Sequence, residues 1–176
     1  CSFSWGLDGN LDIRNTWGAT VQNCIISNNQ KSNLINANSK DISYIQNVFA
    51  LIDQRTVIAN TIAHLDLTYE MINNYIYGVN WPGGGTQGLK ITVENNVCEA
   101  SNSYSVAGST FIEFPAPNPA NGEPNKVENS YFYIKGNDLG DAYNYEVKTS
   151  MPTKYRKNEP FYRSTYTPLP TRGLKT

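Results

Sequence analysis

The chain has 176 residues, enough for one ordinary domain, and a formal net charge of −1. Charged residues make up only 16% of it, so bulk charge implies no nucleic-acid partner. Asn occurs 23 times against 14 Lys plus Arg, which argues against an ordinary helical protein because the Asn side chain competes with the helical backbone.

Strands are favoured instead, by the 12 Tyr and the many β-branched residues. Taken in order, short strands are predicted at 11–13, 20–26, 32–35, 42–50, 56–59, 65–69, 71–77 and 88–97. None of these stretches carries a 3.6-residue period. Within 20–26, Val21, Cys24 and Ile26 cannot share one ideal strand face, so a bend is expected near Asn23. Cys24 and Cys98 sit in strand-like runs and are expected to be small apolar fillers. The three Cys are an odd number and lack zinc spacing, so neither a complete disulfide framework nor a zinc site is expected.

Trp81-Pro82-Gly83-Gly84-Gly85 reads as a loop near 81–87, and a Pro-rich stretch reads as a second loop near 115–125. After about Asp138 the pattern fades, and 139–176 is expected to be an irregular tail packed on the outside. Residues 148–176 hold seven Lys or Arg against one acid. No secretory segment or membrane span is recognised, and the chain, opening on Cys, is expected to be a piece of something longer.

A repeat organises these elements. An apolar-Xaa-Asn unit recurs as Val21-Gln22-Asn23, Ile45-Gln46-Asn47 and Ile72-Asn73-Asn74, with weaker copies at Glu94-Asn95-Asn96 and Val127-Glu128-Asn129. Asn23, Asn47, Asn74 and Asn96 stand 24, 27 and 22 residues apart. A unit returning at such intervals marks a solenoid, whose coils bury their apolar faces against one another. The recurring Asn predicts a ladder of side-chain amides at one corner. The expected fold is all-β, a right-handed parallel β-helix over 1–138.

Four blocks carry a family likeness over roughly residues 1–100. They are Asp8-Gly9-Asn10-Leu11-Asp12-Ile13-Arg14, then Lys31, then Asn47-Val48-Phe49 leading to Gln54-Arg55, then Asn73-Asn74-Tyr75-Ile76-Tyr77. With the opening Cys1-Ser2-Phe3-Ser4-Trp5 and the late Tyr166-Thr167-Pro168-Leu169-Pro170, they resemble pectate lyases of polysaccharide lyase family 1, which are parallel β-helices. The resemblance implies a secreted, calcium-dependent enzyme that cleaves pectate or a related polyuronate by β-elimination. Asp8 and Asp12 match its calcium ligands, Arg55 its catalytic base, and Lys31 and Arg14 its substrate-binding cations. Calcium suits such chemistry because it takes six to eight oxygen ligands with loose geometry, so protein and sugar can share it.

The residues also speak for themselves. Arg14, Lys31 and Arg55 are expected on successive coils about 4.8 Å apart, as a line of positive charge beside Asp8 and Asp12, with Asp12, Lys31 and Arg55 converging on a common groove. An Arg base holds its proton tightly, so activity is expected to rise at alkaline pH. His64, in Ile62-Ala63-His64-Leu65, is expected to be an ordinary satisfied or solvent-facing histidine. The chain departs from the family after Arg55, where Thr56-Val57-Ile58-Ala59-Asn60 lacks the motif's Pro and second Arg. The family's N-terminal coils would precede Cys1, so those coils or a covering chain are expected partners, and the part in hand need not act alone. Two other readings compete: a non-catalytic, tailspike-like carbohydrate-binding or adhesion module, and a glycoside hydrolase using Asp8 and Asp12 as its carboxylate pair. No nucleic acid or membrane enters any of the three.

Overall fold

A computed structural model describes residues 1–36, 39–60, 67–85, 89–101, 110–114 and 131–149. It is built of strands: β1 (Ser2–Ser4), β2 (Leu11–Arg14), β3 (Thr20–Gln22), β4 (Ile25–Asn29), β5 (Asn33–Asn36), β6 (Ile42–Ile45) and β7 (Val48–Asn60). They continue as β8 (Leu67–Ile72), β9 (Tyr75–Gly85), β10 (Leu89–Glu94), β11 (Val97–Glu99), β12 (Thr110–Phe114), β13 (Tyr131–Lys135) and β14 (Tyr145–Thr149). Among the described residues there is no helix, hence none long and apolar enough to cross a membrane.

Every ladder between these strands is parallel. A 5-stranded sheet runs in the order β13-β10-β8-β6-β3, and a 9-stranded sheet holds the remaining strands. Each coil therefore contributes one strand to the smaller sheet, bends, and then runs along the larger one. This is a parallel β-helix.

Inside, one residue from each coil stacks on the next. Ile26 is in register with Phe49, Phe49 with Ile76 and Ile76 with Cys98, and all four are at most 1% exposed. Burying side chains of this size contributes about 1.5–3 kcal/mol each, so the column supplies much of the cohesion between coils. Cys98 and Cys24 both belong to the apolar interior, as their strand context predicts.

The bend ahead of each second strand has one recipe. Asn23, Gln46, Asn73 and Asn95 adopt φ of 54°, 53°, 55° and 52°, and Gly136 takes the same place at 68°. Asn is the non-glycine residue that best tolerates this left-handed conformation. The bend expected at Asn23 is present; its place in the amide ladder is not. The rungs are the next residues along: Asn47 donates to Asn74 Oδ1, Asn74 to Asn96 Oδ1 and Asn96 to Asn137 Oδ1. Cys24, not Asn23, occupies the first rung, its backbone N–H donating to Asn47 Oδ1 at 3.0 Å. The last rung is Asn137; the weak copy at Asn129 lies outside the described residues.

Two further expectations need correction. Trp81–Gly85 does not leave the coils as a loop but completes β9, with Arg55 opposite Trp81, Val57 opposite Gly83 and Ala59 opposite Gly85. The glycines are required by close approach, since a Cβ on Gly84 would lie 1.9 Å from Glu113 O and one on Gly85 2.0 Å from Ala59 O. The stack also outlasts Asp138: β14 pairs with β12, Ile112 opposite Val147. The loop at 115–125, His64 and residues 150–176 lie outside the described residues.

Candidate functional site

Of the five residues singled out by sequence, Asp12 and Arg14 lie on the outward row of β2, Asp8 and Lys31 lie in the bends ahead of β2 and β5, and Arg55 lies within β7. In β2, Ile13 points into the core while Asp12 and Arg14, its neighbours on the alternate face, are exposed. That alternation is the ordinary consequence of a two-residue strand period. Asp8 lies in the turn before β2, and its carboxylate is 3.2 Å from Lys31 Nζ on the next coil, with the side chains 81% and 30% exposed. Backbone bonds fix this corner. Asn10 N–H donates to Ser32 O at 2.6 Å, and Ser32 N–H donates to Arg55 O at 3.0 Å.

Lys31 and Arg55 therefore stand on adjacent coils, at the corner Asp8 also reaches. Arg14 stands apart. It is in register with Asn36 and then Asn60, five residues along the strand from Arg55, which is about 16 Å of extended chain. Asn60 is uncharged, and Arg14 lies at the same register two coils away. Between the ends, the outward row Asp12, Leu34, Ile58 passes from exposed to buried. The surface is open over the first coils and covered at the third.

The charge of Asp12 is also felt inside. Tyr44, fully buried with its hydroxyl unpartnered among the described residues, has its phenol pushed up by burial first, then by Tyr69 and by Asp12. Asp12 Oδ1 lies where a Cβ on Gly9 would stand, 2.5 Å from it, so the turn has glycine where the carboxylate needs room.

The donor set suits a hard cation, since Asp8 and Asp12 offer only oxygen. Among the described residues no three His, Cys, Asp or Glu side chains converge as a metal group.

One feature of the surface was missed from sequence. Next to the Asp8–Lys31 pair is a cleft of about 480 Å³ lined by Trp5, Leu7, Asn28, Asn29, Gln30 and Asp53. Its walls come from three coils. Asp53 sits where β7 shifts register between Ile52 and Arg55, an irregularity that turns side chains out of the regular alternation. The available signal was the coil interval itself, because Gln30 N–H donates to Gly6 O at 3.2 Å and Gln54 N–H to Gln30 O at 2.9 Å.

Fold and surface together define a parallel β-helix with a mixed acidic and basic corner. Comparison with protein-family models, curated proteins and solved structures gives no match.

Proposed function

We propose that this chain is part of a calcium-dependent lyase that cleaves pectate or a related polyuronate outside the cell by β-elimination. The observation that carries the reading is the Asp8–Lys31 pair across two coils, with the Arg55 backbone bonded to Ser32, next to Lys31, on the third. Calcium bound between Asp8, Asp12 and a uronate carboxylate would withdraw charge from the sugar and acidify its C5 proton.

The chain's own residues have separate tasks. Asp8 and Asp12 would hold the cation, Lys31 would pair with the uronate carboxylate, and Arg14 would hold a second carboxylate farther along the strand. Arg55 takes the C5 proton. The C4–O bond then breaks, a C4=C5 double bond forms, and the leaving oxygen collects a proton from water. With an arginine as base, rates are expected to climb as pH rises.

The test is release of unsaturated product, read by near-ultraviolet absorbance, from polygalacturonate with and without a chelator. No gain in absorbance across acidic polysaccharides at alkaline pH refutes the lyase. Binding to polysaccharide that survives Arg55→Ala, without turnover by the parent, supports the non-catalytic module instead. The absence of the second Arg after Arg55 is the observation that favours that alternative. Turnover indifferent to the chelator would point to a hydrolase.

A further inference from the structure

The cleft beside the acidic-basic corner differs from it in chemistry. Among its lining residues Asp53 carries charge and none is basic, so a uronate carboxylate entering it meets repulsion rather than a partner. Its other walls suit a sugar ring. Trp5 is 78% exposed and holds φ 65°. A bulky residue in this left-handed region is strained, and such strain collects at functional positions. An exposed indole offers a flat apolar platform for the C–H face of a pyranose.

The polar wall is unfinished. Asn29 is only 3% exposed, and its Oδ1 accepts from the Gly6 N–H at 3.1 Å. Its Nδ2 is buried with no hydrogen-bond partner among the described residues. Asn28, Gln30 and Asp53 would be available to the ring's hydroxyls.

Position links the cleft to the chemistry. Leu7 precedes Asp8 and Gln30 precedes Lys31, so the two surfaces are separated by about 3.8 Å of backbone on each coil. Neighbouring rings of one polysaccharide can occupy both. Resting on the lyase reading of Lys31 and Arg55, we infer that the cleft is a subsite for an uncharged sugar ring beside the uronate. The substrate class is then a heteropolysaccharide in which uronate and neutral sugars alternate, rather than a pure polyuronate.

The experiment uses the full chain carrying Arg55→Ala, so that nothing is cut during titration. Two probes are compared by calorimetry: a tetrasaccharide alternating galacturonate with rhamnose, and tetragalacturonate. The alternating probe is expected to bind about tenfold more tightly. Trp5→Ala and Gln30→Ala each erase that margin with the far-ultraviolet circular dichroism and the melting curve unchanged. Asp53→Asn narrows it by strengthening the tetragalacturonate complex. Equal affinity for the two probes, binding of neither, or a margin that survives Trp5→Ala overturns the inference. Turnover by the Arg55 chain is scored separately. Cleavage of polygalacturonate without a margin removes the subsite and leaves the lyase, whereas a margin without any cleavage removes the lyase and leaves a binding site.

Discussion

Asn47 directs both its backbone N–H and its side-chain amide at one oxygen, Asn74 Oδ1, at 2.9 and 3.2 Å. Asn74 repeats the act toward Asn96 and also donates to Tyr44 O at 3.0 Å. All of these groups are buried. Asn74→Ala strands two donors of Asn47 and one acceptor of Tyr44, and is expected to destabilise the fold by about 3–4 kcal/mol. Asn74→Asp should cost more, because it sets a carboxylate oxygen against carbonyls that need donors. Chemical denaturation followed by circular dichroism measures both; a midpoint unchanged for Asn74→Ala would show that the ladder contributes nothing net.

Gly84 lies within β9 at φ 132°, where an added Cβ would fall 1.9 Å from Glu113 O. Backbone cannot move aside as a flexible side chain can. Gly84→Ala is therefore expected to cost more than about 3 kcal/mol, read as a fall in melting temperature or loss of soluble protein. A wild-type melt would mean that β9 and β12 do not approach this closely.

The Asp8–Lys31 pair is exposed, and exposed pairs contribute about 0–1 kcal/mol. Asp8→Asn should leave the melt nearly unchanged while raising the calcium concentration needed for half-maximal lyase activity at least tenfold. A large fall in melting temperature, or an unaltered calcium requirement, contradicts the role given to this carboxylate.

Alkaline pH sets two effects against each other. Burial raises the phenols of Tyr44, Tyr69 and Tyr143 above their ordinary 10.0. Tyr75 is raised to about 12, by burial first and then by the bond it donates to Glu99 Oε2 at 2.6 Å. The folded chain thus holds these protons more tightly than the unfolded one. Their contribution to stability is complete below about pH 10 and is lost progressively above it. Initial rates, driven by Arg55, should climb to about pH 10 and then collapse together with the circular dichroism signal. Rates that keep rising to pH 11.5 over an intact fold would remove the tyrosines from the account.

Much of this architecture was written in the chain's intervals. The β-helix, the bend at Asn23, the interior place of Cys24 and Cys98 and the adjacency of Lys31 with Arg55 all follow from the coil interval. The exact rung does not, because the doublets Asn73-Asn74 and Asn95-Asn96 place the same residue type at the left-handed bend and at the ladder. Only the coordinates assign one task to each. Trp81-Pro82-Gly83-Gly84-Gly85 misleads for a related reason, since glycine marks a turn in isolation and a tight backbone approach inside a stack. The cleft around Trp5 was hidden because no local motif joins Trp5, Gln30 and Asp53. The separation of Arg14 from Lys31 and Arg55 needed strand register, which composition does not carry.

Successive rungs of the amide ladder are 23, 27, 22 and 41 residues apart, yet the backbone N–H to Oδ1 bonds joining them all measure 2.9 or 3.0 Å. The pitch of the spiral is thus independent of the circumference of any turn. Residues can be inserted or deleted along the perimeter without altering how one winding sits on the next, so reach and selectivity can be retuned while the spine stays the same.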